Sequence, residues 1–341
     1  MITIKDIAKL AGVSIGTVDR VLHNRGRVAK ETEKNIKEII KKYNYQPNIF
    51  ASQLKKGEKY NFCVIMPMPS QDGGYWNIPL KGIKKAQAEL IGRNVTIEIH
   101  FYDKYDITIF ESTFKKIIKN KFDGFLIAPV LFEAVSKIIN EIPENIPYVF
   151  FDSYLPGGKQ IAFIGQNAYA SGFVAAKLMK CLINGLSKIV VFDPIPEDYH
   201  IEERVKGFTD YCKKNNKNAI VCTIEGSSSK LNVSQRINKL IDKNGIDGIF
   251  FPSALTYLAA QCIEKFDKKI YLIGYDLLEE NKKYLNKDII DFIIDQEPYK
   301  QGYEGIYLLY KHICLKERIK KTIYLPINII MKENLEFIYS L

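Results

Sequence analysis

Polar side chains stand directly after several apolar runs of this chain, where their oxygen atoms could share one ligand. Aspartate, serine and glutamine all offer hydrogen-bond acceptors, and the carboxylates add negative charge. Such a set suits a small polar molecule that carries several hydroxyl or amine donors. The positions with this arrangement are Asp103, Asp152, Ser253, Asp276 and Gln296.

Aromatic side chains accompany the first of these runs. Tyr75 and Trp76 lie shortly after the segment 61–68, and Trp76 is the single tryptophan of the chain. An indole ring beside acceptor groups can stack on the apolar face of a sugar or on a nucleobase. The alternative interpretation is that Trp76 belongs to the hydrophobic core.

The order of the apolar runs indicates which elements bring these side chains together. Strand-like runs alternate with helical stretches such as 81–90, 107–119 and 133–141, which is typical of an α/β fold with parallel sheets covered on both faces. The segment 122–129 resembles the segment 246–253, and this internal repeat predicts two similar lobes. Because ligands of parallel sheets lie beyond the carboxyl ends of the strands, we expect the acceptors to line a cleft between the lobes.

The N-terminal residues predict a different structure, a small all-α unit. Residues 4–11 place apolar side chains at helical spacing, and Gly12 permits a left-handed end to that helix. Ser14 is a favourable N-cap for a second helix. A third helix over residues 30–43 closes a small core over the first two. Its predicted core side chains are Ile36, Ile39, Ile40 and Tyr43.

The outward face of the second helix is short, polar and basic. Two helices joined by a glycine turn, the second with such a face, are the parts of a helix-turn-helix that enters the major groove of DNA. An ordinary helical hairpin is the alternative that spacing alone leaves open. The outward residues are Ile15, Gly16, Thr17, Arg20 and His23.

This N-terminal stretch resembles the LacI/GalR family of bacterial transcription regulators. The similarity covers the sequence TIKDIAKLAGVS of residues 3–14, the following TV and RVL, and the sequence YQPN of residues 45–48. It departs at Asp19, where the family usually has serine, and an acid there repels phosphate unless a neighbouring arginine pairs with it. The resemblance implies a homodimer on a pseudopalindromic operator, because the two-fold symmetry of the protein is mirrored in its DNA site.

The DNA contacts follow from this assignment. Arginine suits a guanine edge, whereas short polar side chains at the start of the helix suit phosphates, which fix the register. The predicted base contacts are Ile15, Gly16 and Arg20, and the predicted phosphate contacts are Ser14, Thr17 and Asn24.

Residues 47–59 stand where the family has a hinge helix and a linker. An isolated helix this short is marginal in water, so we expect it to form only with its dimer partner and the DNA. In the family, the leucine matching Leu54 wedges into a central base step of the minor groove, and the lysine matching Lys55 contacts the groove. A plain linker is the alternative interpretation.

The rest of the chain resembles the effector-binding core of the same family, which shares the fold of periplasmic sugar-binding proteins. The similarity rests on residues 167–172, 204–208 and 274–276. Gln166 replaces the family's usual aspartate, and the region around Ser253 lacks a frequent Asn-Asp pair. The identity of the effector therefore stays open, with a sugar or sugar derivative and a purine or nucleoside as the two candidates. The resemblance assigns effector binding to Trp76, Asp152, Arg204 and Asp276.

Structural alternatives stay open for several of these side chains. Arg204 and Asp276 could form an ion pair across the cleft. His200 could cap a helix or face solvent, and Gln296 could be a hinge residue bonded to the backbone. The full predicted effector site comprises Tyr75, Trp76, Asp103, Asp152, Gln166, His200, Arg204, Ser253, Asp276 and Gln296.

Basic residues are concentrated at the N-terminus. The net charge of the 341-residue chain is +10. Residues 1–60 hold 13 lysines and arginines against 6 acids, and the remaining 281 residues hold 36 against 33. A polyanion would therefore meet the N-terminal unit, and its binding should weaken steeply as the salt concentration rises.

Other function classes lack their sequence signals. The six cysteines form no CxxC pair and the four histidines no HxxxH pattern, so neither a metal site nor a disulfide is indicated. No GxGxxG, P-loop or GxSxG motif points to an enzyme or a cofactor. The uncharged stretch 248–263 is too short for a membrane span, and no apolar leader begins the chain, so we expect a cytoplasmic protein. A pure solute-binding protein is the remaining alternative, which the basic N-terminal unit opposes.

The predicted domains follow this division. They are a headpiece over 1–46, a hinge and linker over 47–59, and an effector-binding and dimerisation core over 60–341, with one lobe at about 60–160 plus 295–321 and the other at about 161–294 plus 322–341.

Overall fold

The computed structural model describes residues 2, 4–22, 26, 28–43, 58–183, 187–193, 198–215, 219–225, 235, 237–239 and 245–338. The chain divides into two units, residues 1–58 and residues 59–341, and each is described by itself. Several predictions lie outside the described residues, namely those for His23, Asn24, Leu54, Lys55 and the hinge segment 47–57.

The first unit is the predicted small helical unit. Gly12 ends the first helix with a φ of +65°, and the Ser14 side chain accepts a hydrogen bond from the backbone N–H of Thr17 over 3.2 Å, which confirms it as the N-cap. Ile36 of the third helix is fully buried among side chains of the first two, but the prediction for Tyr43 was wrong. This residue follows the last helical turn and its ring is exposed. The helices are α1 (Ile4–Ala11), α2 (Ile15–Leu22) and α3 (Lys30–Lys42).

The second unit contains two six-stranded sheets among its described residues. The strand order is β11-β5-β4-β3-β1-β2 in the first sheet and β12-β10-β9-β8-β6-β7 in the second. All neighbours are parallel except β12, which is antiparallel to β10. The strands are β1 (Tyr60–Pro67), β2 (Val95–Tyr102), β3 (Gly124–Ile127), β4 (Tyr148–Phe151), β5 (Ala162–Gly165), β6 (Ser187–Asp193), β7 (Ala219–Glu225), β8 (Gly248–Phe250), β9 (Tyr271–Tyr275), β10 (Phe292–Asp295), β11 (Thr322–Tyr324) and β12 (Asn328–Ile330).

Helices cover both faces of each sheet. Alternate residues of a buried parallel strand point to opposite faces, so both faces are apolar and need to be covered. Phe62 and Val64 of β1 pack into one apolar cluster, whereas Cys63 and Ile65 pack into another. Within the described ranges, no helix is both long enough and apolar enough to cross a membrane. The main helices are α4 (Asn77–Leu90), α5 (Ile107–Ile117), α6 (Phe132–Ile138), α7 (Ala168–Leu182), α8 (Tyr199–Asn215), α9 (Tyr257–Ile263), α10 (Glu279–Asn286) and α11 (Pro298–Leu309).

The two sheets share one strand order, as the internal repeat predicted, and each forms a lobe; they differ in the direction of the edge strands β11 and β12. Lobe 1 contains the first sheet and lobe 2 the second. The expected boundaries at residues 160/161 and 321/322 are displaced, because β5 and β11 were assigned to lobe 2 but pair with β4 and with each other in the first sheet. The chain therefore crosses between the lobes at 166–167, 296–297 and 325–327.

Candidate functional site

A cavity lies between the two lobes of the second unit. Its walls come from the carboxyl ends of strands in both sheets and from the start of α8, which is where parallel α/β folds place ligands. The lining residues are Asp72, Tyr75, Trp76, Lys104, Asp152, Asp198, His200, Ile201, Arg204, Ser253, Ala254, Asp276 and Gln296.

Arg204 is a buried cation of this cavity. Its guanidinium lies 4.0 Å from the centre of the Tyr275 ring and donates to the carbonyl of Pro252 over 2.9 Å. A second donation, also over 2.9 Å, reaches the side-chain oxygen of Gln296, whereas the buried Nε has no partner among the described residues. One of the donors of Arg204 is thus available to a ligand.

Two glycines set the position of the helix that carries Arg204. A Cβ atom at Gly172 of α7 would lie 2.0 Å from the backbone oxygen of Arg204. A Cβ atom at Gly207 of α8 would lie 2.0 Å from the backbone oxygen of Tyr169. The two helices therefore cross at backbone contact, which no larger residue allows.

Gln296 connects Arg204 to a carboxylate. The Gln296 amide group donates to the two oxygens of Asp276 over 3.1 and 3.3 Å, while its own oxygen accepts from Arg204. The alternative of an ion pair between Arg204 and Asp276 across the cleft does not hold, because both residues belong to lobe 2 and Gln296 connects their side chains. Burial raises the pKa of Asp276 well above its ordinary range, although the charge of Arg204 opposes that shift.

Asp152 faces the cavity from lobe 1. One of its oxygens accepts a hydrogen bond from the Tyr75 hydroxyl, and the other has no partner among the described residues. Burial raises the pKa of Asp152, although His200 acts in the opposite direction. A buried acceptor without a partner is costly, so this oxygen is a natural point for a ligand hydroxyl to bind.

Trp76 is held in place by a buried polar group. Its indole N–H donates to Asp72 over 2.8 Å, and the same carboxylate binds Lys104 over 2.7 Å. Burial alone would raise the pKa of Asp72, but Lys104, Trp76 and Tyr105 together lower it. The indole is also part of the apolar cluster of lobe 1, so it is both a core residue and a cavity wall.

The two lobes are in contact at two places. A Cβ atom at Gly73 of lobe 1 would lie 3.3 Å from side-chain atoms of Leu278 and Tyr257 in lobe 2. Phe132 of lobe 1 stacks on Tyr199 of lobe 2 with 5.9 Å between ring centres. The structure is therefore a closed arrangement of the cleft.

Most of the predicted effector residues meet in this cavity, but two do not. Asp103 lies outside, because its carboxylate accepts hydrogen bonds from Gln71 and from the backbone of Tyr105. Gln166 lies at a lobe crossover, where its amide group donates to the carbonyls of Asp295 and Pro326. The predicted residues that line the cavity are Tyr75, Trp76, Asp152, His200, Arg204, Ser253, Asp276 and Gln296.

Other lining residues were not predicted from the sequence. Ile201 could have been found, since it lies one turn before Arg204 on the same helix face. Asp72 and Lys104 had no such signal, because their pairing depends on two loops that are distant in the sequence. The residues that sequence reasoning missed are Asp72, Lys104, Asp198, Ile201 and Ala254.

The helix-turn-helix unit presents its predicted reading face to solvent. Ile15 is 45% exposed although it is apolar, and Gly16 and Arg20 are exposed beside it. Val18 and Val21 are buried on the opposite side of α2. The helix is thus anchored by one face and leaves the other free for a groove of DNA.

Comparison with known proteins identifies both units. The model of bacterial regulatory proteins of the lacI family matches residues 3–48, and the model of the periplasmic binding protein domain matches residues 64–317. The chain combines an N-terminal unit of the lacI family of bacterial regulatory proteins with a periplasmic binding protein domain. The predicted assignment and the predicted fold class are both confirmed.

Proteins similar to this chain include regulators and sugar-binding proteins. The ribose operon repressor of Lactococcus lactis is 25% identical over 98% of both chains. A putative LacI transcriptional regulator from Bacteroides fragilis has 27% identity and a TM-score of 0.76, over 83% of this chain and 100% of that chain. GanP, a glucose-galactose binding protein from Geobacillus stearothermophilus, has 26% identity and a TM-score of 0.73, over 82% and 99%.

Proposed function

We propose that this protein is a cytoplasmic transcription repressor that binds a pseudopalindromic operator as a homodimer, and that a small sugar or sugar derivative controls its binding. One observation carries the proposal. A chain with an exposed helix-turn-helix face also holds, between two closed lobes, a cavity with an indole wall. A carboxylate oxygen and a guanidinium N–H of its lining residues have no partner among the residues that the structure describes.

The chemistry of the cavity favours a polyhydroxylated ligand. A sugar hydroxyl both donates and accepts, and the cavity offers the free Asp152 oxygen as an acceptor and the free Arg204 Nε as a donor. The wall formed by Trp76 matches the apolar face of a pyranose or furanose ring. The relatives whose names include ribose, glucose or galactose support the same ligand class.

The two sides of the cavity explain how such a ligand would act. Asp152 and Trp76 belong to lobe 1, whereas Arg204 and Asp276 belong to lobe 2. A sugar that binds all four favours the closed arrangement over an open one. If DNA also distinguishes the two arrangements, sugar and DNA change each other's affinity by the same factor.

The DNA contacts proposed from the sequence remain part of this function. Arg20 reads a guanine and Leu54 wedges into the central minor groove, with Lys55 beside it. Two copies of α2 would then enter adjacent major grooves of a two-fold-symmetric site. We expect the affinity for this site to fall steeply with salt, because the basic residues replace counterions on the phosphates.

The test is selection of bound duplexes from a random library with the purified full-length protein at two salt concentrations. We expect enrichment of a two-fold-symmetric sequence that is lost at the higher salt concentration. Absence of any enriched sequence, with and without the sugars and purines named next, would refute the DNA-binding role.

The effector class is tested on the selected duplex. Ribose, glucose, galactose, adenine and guanine are titrated into the complex, and the bound fraction is measured by fluorescence anisotropy. We expect a sugar to change the bound fraction and Arg204→Ala to remove that change. A response to a purine alone would replace the sugar proposal with the purine alternative.

A further inference from the structure

A second and larger cavity adjoins the effector cavity. Asp152 and His200 line both cavities, so they form the boundary between them. We name this space the outer cavity and the effector cavity the inner one. The outer cavity is lined by Asp152, Tyr154, Phe163, Gln166, Asn167, Ala168, Tyr169, Tyr199, His200, Glu203, Thr322 and Tyr324.

Aromatic rings form much of the outer wall. Tyr154 lies 5.4 Å from Phe163 and 6.4 Å from Tyr199, measured between ring centres. Tyr324 adjoins Phe163 at 6.3 Å and is 59% exposed. Rings of this kind offer apolar faces and hydroxyl groups together, a combination that suits the mixed surface of a sugar ring.

Two residues that line the outer cavity, one of them on its boundary with the inner cavity, carry buried acceptors without partners among the described residues. These acceptors are the second carboxylate oxygen of Asp152 and the side-chain oxygen of Gln166. The Gln166 amide nitrogen donates to two backbone carbonyls, which cannot donate in return, so the orientation of this amide group is fixed. Gln166 is only 4% exposed, and its oxygen therefore requires a donor from a ligand or from water.

The charges of the outer cavity disfavour an anionic occupant. Among the residues that the structure describes, its lining contains two carboxylates, Asp152 and Glu203, and no lysine or arginine. A phosphate or carboxylate group would meet these acids without a permanent cation. A neutral group rich in hydroxyl donors fits the free acceptors and the aromatic wall.

We propose that the effector is a neutral glycoside, with one sugar ring in the inner cavity and a second sugar ring in the outer cavity. The proposal rests on the sugar-binding function proposed above and specifies its ligand as a disaccharide-like molecule. Asp152 and His200 would lie beside the glycosidic linkage. The second ring would donate hydroxyl hydrogens to Gln166 and pack against Tyr324.

The test is calorimetric titration of the full-length protein with matched pairs of ligands. The pairs are glucose with maltose and with cellobiose, galactose with lactose and with melibiose, and xylose with xylobiose, and glucose 6-phosphate serves as the anionic probe. We expect at least one disaccharide to bind about tenfold or more tightly than its monosaccharide, and glucose 6-phosphate to bind more weakly than glucose.

Two variants test whether the tighter binding of the disaccharide arises in the outer cavity. Tyr324→Ala should weaken the disaccharide about 5- to 20-fold and change the affinity of its monosaccharide less than about twofold, because an exposed ring is lost from one cavity only. Ala168→Trp should fill the outer cavity and remove the preference for the disaccharide. Tyr299→Ala is the matched control, since Tyr299 is also exposed, at 40%, and lines neither cavity.

The outcomes separate this proposal from the function on which it rests. Monosaccharides that bind and alter DNA affinity, with disaccharides no tighter, would overturn the glycoside proposal and leave the sugar-responsive regulator intact. A disaccharide preference that persists in both outer-cavity variants would also overturn it. If no sugar of the panel binds, the sugar effector and the glycoside fail together, while DNA selection still tests the regulator.

Discussion

Asp152 and Asp276 occupy equivalent positions in the two lobes. Asp152 follows β4 and Asp276 follows β9, and each donates its backbone N–H to the neighbouring strand, at the carbonyls of Ile164 and Ile294. Both backbones have a left-handed φ, +68° and +63°, which aspartate tolerates better than most side chains. The internal repeat therefore delivers one carboxylate from each lobe to the same cavity.

We expect Asp276→Asn to reduce the pH dependence of stability. Burial raises the pKa of Asp276 in the folded protein, whereas its pKa in the unfolded chain is about 3.9. Between these two values the folded state holds more protons, so the free energy of unfolding falls as the pH rises. Asparagine keeps the shape of the side chain but cannot ionise, so Asp276→Asn should raise the melting temperature at pH 7 by about 2–4 °C or more. Thermal unfolding between pH 4 and pH 8 measures both effects.

A control for this experiment is available on the surface of the same lobe. Asp267 is exposed, so Asp267→Asn should leave the curve of stability against pH unchanged. If Asp276→Asn and Asp267→Asn gave the same curve as the unchanged protein, the buried carboxyl would not be a source of the pH dependence.

The second prediction concerns the buried pair of Asp72 and Lys104. Asp72→Ala removes the partner of a buried ammonium group, and breaking such a pair destabilises a protein by about 3–5 kcal/mol. Lys104→Met in the same chain should recover most of that loss, because an apolar side chain needs no partner. Urea unfolding of the two single variants and the double variant measures the coupling, and simple additivity of the three values would contradict it.

The third prediction concerns the crossing of α7 and α8. Gly207→Ala places a methyl group against the backbone of Tyr169, and we expect a loss of about 1–3 kcal/mol or more together with weaker effector binding, because Arg204 moves with its helix. Gly92→Ala is the matched control, since a Cβ atom there meets no neighbour within 4 Å. Equal unfolding midpoints for the two variants would show that the helices do not depend on this contact.

The fourth prediction separates base reading from phosphate binding. Arg20→Ala should relax the preference at one position of each half-site, at a cost of about 1–3 kcal/mol for the preferred base. Lys34→Ala removes an exposed basic side chain of α3. It should at most weaken DNA binding by the same factor for all sequences. Repeating the duplex selection with each variant measures the difference, and an unchanged selected sequence for Arg20→Ala would remove Arg20 from the base contacts.

Much of the fold could be predicted from the sequence because its patterns are local. The cap at Ser14, the turn at Gly12 and the alternation of strands and helices each depend on neighbouring residues only. The positions of Asp152, Asp276 and Gln296 followed from one general rule about strand ends. The burial of Tyr43 was predicted wrongly because helical spacing does not show at which residue the helix stops packing against the other two helices.

The lobe boundaries and the cavity walls depended on distant parts of the chain. The sequence alone determined the family resemblance, the helix-turn-helix and the two-lobed α/β core, because local motifs and periodicity indicate all three. Tertiary structure alone decided that β5 and β11 belong to lobe 1 and that Lys104, not Asp103, reaches the cavity. It also placed Gln166 in the outer cavity. The physical reason is that pairing of strands and burial of charges are settled between residues far apart in sequence, where no local pattern carries the information.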